Sequence, residues 1–153
     1  MKIATLAIIL RGNEVLLGLK KGGEIGSNTL NGPGGKCKKD ETPIECVIRE
    51  TKEEVGIELD RAHLVETAVI TFYAAGIPDF EVHIFRTRMF SGTPIETAEM
   101  IPGWCNTNDL PIERMLESDR KWFVKAINGD KFRANVYYRG RASGFISIKF
   151  FPY

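Results

Sequence analysis

The chain has 153 residues, of which 43% are hydrophobic and 27% are charged, and its formal net charge is +1. These values are typical of one globular domain with a full hydrophobic core. A nearly neutral chain has no overall attraction for polyanions, and no apolar run approaches the roughly 18 residues of a membrane span. We therefore expect local phosphate recognition and no membrane partner.

The three cysteines, Cys37, Cys46 and Cys105, form no C-x-x-C pair, and the two histidines are isolated. An odd number of unpaired thiols is typical of a reducing compartment. We interpret the apolar N-terminal segment as a strand and not as a signal peptide, because a polar turn and a second strand-like run follow it. These patterns predict a cytoplasmic protein. Structural zinc is not expected, because zinc sites use close pairs of Cys or His.

The first half of the chain predicts a hairpin, a glycine-rich segment and a helix. Residues 5–10 and 14–20 are apolar runs on either side of a Gly-containing turn. Residues 22–35 are rich in glycine. Thr42 then suits a helix N-cap, Pro43 the first helical position, Glu45 the third position of a capping box and Gly56 the helix end. One apolar face contains Ile44, Val47, Ile48, Thr51 and Val55.

The second half predicts mostly strands. We expect strands over residues 63–75 and 80–90 with a turn at 76–79, a strand near 103–106, a helix over about 119–128, and two closing strands at 131–140 and 144–151. Few helices and many strands that do not alternate with them predict an α/β protein with a mixed sheet and helices on its faces. We expect residues 1–153 to form a single domain.

The helix at residues 42–56 carries Glu50, Glu53 and Glu54 at spacings that make carboxylates neighbours. Each like-charge pair of this kind costs about 0.2–0.5 kcal/mol, which a bound cation would offset. The three residues lie at the border of the apolar face, where the wall of a cleft is expected. Three carboxylates supply the oxygen ligands that a hard divalent cation prefers. A solvated acidic face is the alternative interpretation of this helix alone.

The segment LNGPGGKCKKDE favours the cation site over that alternative. Its glycines allow backbone groups to approach a phosphate closely, and Lys36, Lys38 and Lys39 supply positive charge. The residues Gly35, Glu41, Arg49-Glu50, Glu53-Glu54 and Gly56-Ile57 have the spacing of the Nudix box, G-x₅-E-x₇-R-E-U-x-E-E-x-G-U. Thr51 departs from it, because the pattern has an aliphatic residue there.

The chain as a whole resembles the MutT-type branch of the Nudix hydrolases, including enzymes that act on oxidised purine nucleoside triphosphates. Supporting segments are Thr5-Leu6, VLLGLKK, LNGPGGK, Gly76…Pro78, GTPIETAEM and PGW. The resemblance implies an α/β/α sandwich around a mixed sheet. It also implies hydrolysis of (d)GTP-type substrates, including 8-oxo-dGTP, to a nucleoside monophosphate and pyrophosphate. The implied cofactor is Mg²⁺, with Mn²⁺ as a substitute.

The resemblance also implies roles for individual residues. The metal ligands would be the Gly34 carbonyl and the carboxylates of Glu50, Glu53, Glu54 and Glu99. Catalysis would use Glu50 or Glu54 as general base or ligand, with Arg49 orienting a carboxylate. The implied substrate-binding residues are Lys20, Lys36 and Gly35 for the phosphates, Asn31 and Asp119 for the purine, and Thr5, Ile25 and Phe72 for the walls of the base pocket.

One departure concerns base selection. Leu116-Glu117-Ser118-Asp119 stands where the oxidised-purine enzymes have Trp-Pro-Asp-Asp, so the stacking Trp and the first acid are missing. A purine pocket through Asn31 and Asp119 is still expected, whereas preference for an oxidised base is in question. Guanine, with N1–H and N2–H₂ donors on one edge, would suit Asp119 as an acceptor.

Two other functions remain open at this point. The first is removal of pyrophosphate from triphosphorylated RNA 5′ ends, because basic residues and tyrosines alternate near the C-terminus at Lys131, Arg133, Tyr137, Tyr138, Arg139 and Arg141. The second is a non-catalytic nucleotide-binding module, although such proteins usually lose box carboxylates that this chain retains. Exposed strand edges would also permit a homodimer.

Overall fold

The structure, a computed structural model, describes residues 1–23 and 27–153. The strands are β1 Lys2–Arg11, β2 Glu14–Lys20, β3 Leu30–Asn31, β4 Gly34–Lys36, β5 Glu58–Leu59, β6 Val65–Ala74, β7 Ile77–Thr87, β8 Phe90–Ser91, β9 Met100–Asn106, β10 Phe132–Gly140 and β11 Ser143–Pro152. The α-helices are α1 Pro43–Val55 and α2 Asp119–Ile127, and short 3₁₀ turns span Arg61–His63 and Ile112–Arg114. Within the described ranges, no helix has the length and apolar character needed to cross a bilayer.

Most of the described strands belong to one mixed sheet. Its order is β11-β10-β6-β7-β1-β2-β3, with β4 added to β1 and β9 added to β2. The pairs β1–β7 and β10–β6 are parallel, and the other pairs of this sheet are antiparallel. A separate small sheet joins β5 to β8.

The sheet separates two hydrophobic clusters. Alternate residues of β1 enter different clusters, so that Ile8 packs with Trp122 and Phe123 of α2, whereas Ile9 packs with Val47 of α1. A strand that is buried on both faces requires a covering layer on each side. The predicted α/β/α arrangement is therefore confirmed, with α1 on one face and α2 on the other.

Helix α1 begins and ends as predicted. The Thr42 hydroxyl accepts a hydrogen bond from the Glu45 amide at 3.3 Å, and a Glu45 carboxylate oxygen accepts one from the Thr42 amide at 2.9 Å. Gly56 ends the helix with φ of 73°, in the left-handed region that glycine adopts without strain. These caps fix the helix in register and therefore fix the direction of its carboxylates.

Several predicted boundaries need correction. The turn between β6 and β7 is not at residues 76–79 but at Ala75-Gly76, and Pro78 lies inside β7 opposite Tyr73. Residues 61–63 form a 3₁₀ turn before β6. The first hairpin is confirmed. In the described structure, however, β1 and β2 pair only next to the turn, where Leu10 lies opposite Val15 and Arg11 lies opposite Glu14. The rest of β1 pairs with β4 and β7.

Candidate active site

A cleft of about 500 Å³ brings together most of the predicted site residues. Residues of β4 and of α2 are both part of its wall. Neither Arg49 nor Glu53 is among its wall residues, and Ile25 lies outside the described residues. The predicted residues that line the cleft are Thr5, Lys20, Asn31, Gly34, Gly35, Lys36, Glu50, Glu54, Phe72, Glu99 and Asp119.

Three carboxylates form one polar group in the wall of the cleft. Glu50 and Glu54 come from α1, and Glu99 comes from the segment before β9, with one oxygen of each within 4.8 Å of the others. Glu54 is buried, Glu50 is half-buried and Glu99 is exposed. The Gly34 amide donates a hydrogen bond to a Glu54 oxygen at 2.8 Å, which fixes this side chain against β4.

The electrostatics of this cluster favour a bound cation. Burial raises the pKa of Glu54 to about 7, and the negative charge of Glu50 adds to that rise, whereas the Gly34 amide opposes it. Burial also raises the pKa of Glu50, while Arg49 opposes the rise. A divalent cation would offset both the burial and the repulsion. A donor set of carboxylate oxygens fits a hard cation such as Mg²⁺.

Gly35 allows β4 to approach the cluster. A methyl group at this position would lie 2.5 Å from the Glu50 Oε2 atom. The glycine that begins the Nudix box therefore has a steric reason to be there. The Gly34 carbonyl, expected as a metal ligand, lies on the same short strand, and its role remains a prediction.

Arg49 connects the cluster to Glu41. Its Nε and Nη2 atoms donate to the two Glu41 oxygens at 2.7 and 2.9 Å, and its Nη1 donates to Glu50 at 2.8 Å and to Glu53 at 3.1 Å. The paired guanidinium lowers the pKa of Glu41 to about 2. Arg49 therefore contacts both Glu50 and Glu53, and the predicted role of orienting a carboxylate is compatible with these contacts.

Glu53 is the one carboxylate of the helix trio that the described structure does not bring to the cluster. Its side chain is 48% exposed and its carboxylate contacts Arg49. The position on the helix explains this difference, because Glu50 and Glu54 share one side of α1 and Glu53 lies further toward solvent. Its role as a metal ligand remains a prediction.

Asn31 and Asp119 form a second polar group in the wall of the same cleft. The Asn31 side-chain amide donates to the Asp119 Oδ2 atom at 3.2 Å. The other Asp119 oxygen accepts from the Trp122 indole at 3.0 Å and from the Ser118 hydroxyl at 3.3 Å. Burial raises the pKa of Asp119, which is 1% exposed, to about 7. The polar edge of a base is therefore the expected partner of Asn31 and Asp119.

Lys20 lines the same cleft and acts electrostatically on both polar groups. Its positive charge lowers the pKa of both Glu54 and Asp119, although burial outweighs this effect at each carboxyl. A triphosphate that extends from the base pocket to the carboxylates would pass this ammonium group. The predicted phosphate-binding role of Lys20 is compatible with this position.

The cleft wall also contains apolar residues that were not predicted as site residues, among them Phe80, Val82, Leu116 and Trp122. Phe80 is paired with Phe72 across β6 and β7, so the strand register would have identified it. Trp122 belongs to the hydrophobic cluster that contains α2. It is buried in the core and also borders the cleft. Leu116 occupies the position at which the related enzymes have the stacking Trp.

Comparisons with known proteins agree with this arrangement. Residues 1–126 match the family model described as the NUDIX domain. The chain is 36% identical over 132 residues to the mouse oxidized purine nucleoside triphosphate hydrolase, covering 86% of this chain and 83% of that protein. It is 34% identical over 140 residues to the zebrafish (Danio rerio) protein of the same name, covering 91% and 88%.

A solved structure supports the same conclusion for the fold. The MutT protein from Bacillus halodurans superposes with a TM-score of 0.81, covering 98% of this chain and 97% of that one at 21% identity. The family match covers most of the chain, including the complete Nudix box and every strand that forms the walls of the cleft. The chain therefore belongs to the Nudix hydrolase family.

Proposed function

We propose that this chain is a pyrophosphohydrolase that cleaves purine nucleoside triphosphates of the (d)GTP type to the nucleoside monophosphate and pyrophosphate, with Mg²⁺ as cofactor and Mn²⁺ as a substitute. The observation that carries this proposal is that one cleft is lined both by a carboxylate cluster and by the hydrogen-bonded pair of Asn31 and Asp119. The names of the mouse and zebrafish relatives support the same class of substrate.

The proposed reaction is attack of water on a phosphorus of the triphosphate. Bound divalent cations would neutralise the polyphosphate and increase the acidity of the attacking water. Glu50, Glu54 and Glu99 would hold the cations, with the Gly34 carbonyl and Glu53 as further predicted ligands. Either Glu50 or Glu54 would accept the proton, and adjacent acids of this kind titrate as a group. Arg49 keeps Glu50 in place through a 2.8 Å hydrogen bond.

The base pocket supports recognition of guanine. Because Asp119 Oδ1 already accepts from Trp122 and Ser118, Oδ2 is the oxygen beside Asn31 that remains for a base. Thr5, Phe72 and Phe80 border the same cleft and would enclose the purine ring. Leu116 offers no aromatic surface for stacking, so we expect a smaller advantage for 8-oxo-dGTP over dGTP than a stacking Trp would give.

A panel of nucleotides tests this proposal directly. The substrates are dGTP, 8-oxo-dGTP, GTP, ATP and a dinucleoside polyphosphate, each with Mg²⁺, and the measurement is release of monophosphate and pyrophosphate in equal amounts. We expect the highest kcat/KM with guanine nucleotides. Release of inorganic phosphate instead, or equal rates with all of the bases, would contradict the proposal.

RNA with a 5′-triphosphate is the second candidate substrate, and one surface feature favours it. The rings of Tyr73 and Tyr137 stack with centroids 4.8 Å apart, and Arg133 and Arg139 lie exposed on the same face of β10. Two of the predicted RNA contacts are otherwise engaged. Tyr138 is 3% exposed, and Arg141 forms an ion pair with Asp79 at 2.7 Å.

A comparison of substrates decides between the two candidates. Pyrophosphate release is measured from GTP and from a 5′-triphosphate oligonucleotide, in the parent protein and in Tyr137→Ala. The RNA candidate requires a higher kcat/KM for the oligonucleotide and a selective loss of that activity in the variant. If the variant processes both substrates as the parent does, this surface has no part in substrate binding.

Cellular location and assembly also remain proposals. Cys37, Cys46 and Cys105 are free thiols, which supports a reducing compartment such as the cytoplasm. Strand β11 pairs with β10 and forms an edge of the sheet, and Ile146 and Phe150 are exposed on it. We infer that a homodimer, if one forms, pairs through this edge, and sedimentation of Ile146→Lys against the parent protein tests it.

A further inference from the structure

A second group of potential metal ligands lies outside the cleft, between β4 and α1. Cys37 directly follows β4, Glu41 lies in the connecting turn, and Cys46 is on the first turns of α1. The sulfur atoms and one carboxylate oxygen all lie within 4.8 Å of one another. Ligand atoms around a tetrahedral Zn²⁺ ion with Zn–S bonds of about 2.3 Å are roughly 3.8 Å apart. A small movement of the three side chains toward one another would therefore give tetrahedral distances.

The burial of these residues suits a partly enclosed site. Cys46 is fully buried, with its sulfur 3.4 Å from the Thr5 hydroxyl and 3.6 Å from the Gly35 carbonyl. Cys37 and Glu41 are half-buried and form part of the wall of a separate surface groove of about 440 Å³. An ion could therefore enter from the groove, pass between Cys37 and Glu41, and reach the buried Cys46 thiol.

The donor set determines which ions fit. Two sulfur donors favour soft or borderline cations over Mg²⁺, which prefers oxygen ligands. Lys38 and Lys39 line the groove together with Asp40, Glu41 and Glu81, so the charges of the groove do not distinguish one divalent cation from another. Selectivity therefore has to come from metal–sulfur bonding, which excludes the hard cations of the catalytic cluster.

We propose that Cys37, Glu41 and Cys46 bind one thiophilic divalent cation of the Zn²⁺ or Cd²⁺ type, with the fourth position open to water. Binding releases two protons, because each cysteine loses its S–H proton to solvent as the metal–sulfur bond forms, and no electron is transferred. This proposal differs from the expectation of no zinc site, which considered close sequence pairs. The turn into α1 brings together cysteines that are separated in sequence. The proposal does not depend on the proposed enzymatic function.

The site would be coupled to the active site through Glu41. Both Glu41 oxygens accept hydrogen bonds from Arg49, and Arg49 also holds Glu50. A cation that draws the Glu41 carboxylate toward the two sulfurs would compete with this ion pair. Occupation of the thiol site would therefore loosen the positioning of a catalytic carboxylate.

A titration with Cd²⁺ tests the proposal without an activity assay. The full chain is reduced, freed of metal and kept in excess Mg²⁺ so that the carboxylate cluster is occupied, and thiolate-to-cadmium charge-transfer absorbance is recorded in the ultraviolet. We expect saturation at one equivalent. Cys37→Ser should weaken binding by at least roughly 10-fold, because loss of even an outer partner of a metal site has an effect of that size.

Cys105→Ser is the matched control, because Cys105 is also half-buried but lies on β9, outside the cluster. It should retain the parent absorbance and affinity. Glu41→Gln should weaken binding and keep the absorbance at saturation, since both sulfurs remain. Far-ultraviolet circular dichroism confirms the fold of each variant. No charge-transfer band in the parent, an unchanged titration in Cys37→Ser, or loss of the band in Cys105→Ser would each overturn the proposal.

Discussion

At the scale of single residues, the structure distinguishes carboxylates that the sequence presents as equivalent. Glu54 is buried against β4 in the cluster, whereas Glu53 is exposed and contacts Arg49. The Nudix spacing predicted that both would hold metal. Neighbouring positions on a helix surface differ by large angles, so the direction of each side chain depends on the tertiary packing of α1 against β4.

We predict that Glu54→Gln reduces kcat far more than Glu53→Gln does. Loss of the buried carboxylate should lower kcat by about 10²–10⁴-fold, the range typical of an acid–base group, and Glu50→Gln should have a similar effect. Loss of the exposed carboxylate should cost less than about 10-fold. The measurement is kcat at saturating Mg²⁺, with circular dichroism as the control for folding. Equal losses in the two variants would show that Glu53 moves into the cluster during catalysis.

The Asp119 network explains a second residue-scale effect, on stability. The pKa of Asp119 is raised from 3.8 to about 7 in the folded chain. Between these values the folded state keeps a proton that the unfolded state loses, so stability falls as pH rises through this window. The penalty is absent below the unfolded pKa and complete above the folded pKa.

We therefore predict that Asp119→Asn stabilises the protein relative to the parent increasingly from pH 5 to about pH 7, above which the difference becomes constant. The difference in unfolding free energy should change by at most about 1.4 kcal/mol per pH unit. Urea unfolding of both proteins without nucleotide measures it, and the comparison cancels contributions from Glu50 and Glu54. Parallel pH profiles for the two proteins would contradict the raised pKa of the buried Asp119 carboxyl.

The sequence predicted Asp119 and Asn31 through the family resemblance, but it did not predict their environment. The hydrogen bonds to Asp119 from Trp122 and Ser118 come from the local geometry of the start of α2. Ser118 in turn accepts from the Tyr138 hydroxyl of β10 at 2.9 Å. A contact between residues so distant in sequence leaves no local pattern, whereas a capping box such as Thr42–Glu45 does.

At the scale of elements, the short strand β4 positions the cluster and explains two adjacent glycines. An added methyl group at Gly35 would meet the flexible end of Glu50, whereas one at Gly34 would overlap the backbone carbonyl of Thr5. A side-chain end can move aside, but the β1 backbone cannot move without disrupting the sheet. The two glycines therefore have different tasks.

We predict that Gly35→Ala reduces turnover more than stability and that Gly34→Ala does the reverse. In Gly35→Ala the displaced Glu50 should lower kcat at least roughly 10-fold, with the melting temperature nearly unchanged. In Gly34→Ala the strain at β1 should cost about 1–3 kcal/mol of stability. Thermal unfolding and kcat are measured for both variants. If Gly35→Ala keeps the activity of the parent protein, the claim that a methyl group at this position displaces Glu50 is wrong.

The elements themselves were predictable where their signals are local. Helix α1 has its N-cap, its proline and its terminal glycine within the segment, and its predicted limits are confirmed. Strands β3 and β4 were not predicted, because glycine and proline in residues 22–35 indicate a loop. They form because β1 and β2 offer open edges to this segment. The Ala75-Gly76 turn was misplaced because Pro78 suggested a longer loop. Proline is accepted there because Pro78 is the second residue of β7, lies beside a register shift of β6 and precedes the pairing with β1.

At the scale of the whole molecule, the sheet joins distant parts of the chain. Residues 2–9 of β1 pair in parallel with residues 80–87 of β7, and β10 pairs in parallel with β6. The strand order was not predictable, because parallel pairs require long connections and the sequence gives no local sign of the partner. The layer arrangement was predictable, since strands that are apolar on both sides need cover on both faces.

The C-terminal strands test whether residues 1–153 form one domain, as we propose. The family match ends at residue 126, yet Phe132, Ala134, Val136 and Tyr138 of β10 are buried in the cluster that contains α2. We predict that the full chain unfolds in one transition and that a chain ending at residue 128 does not unfold cooperatively. Circular dichroism during heating measures both. Cooperative unfolding of the shorter chain at a similar temperature would show that β10 and β11 are an accessory unit.

The central claim is that the carboxylate cluster of Glu50, Glu54 and Glu99 holds divalent cations for a triphosphate substrate. Calorimetric titration with Mn²⁺ or Mg²⁺, with and without a non-hydrolysable GTP analogue, tests it most directly. The account predicts uptake that the nucleotide strengthens and that Glu54→Gln greatly weakens. Absence of uptake under both conditions, or uptake unchanged in Glu54→Gln, would contradict it.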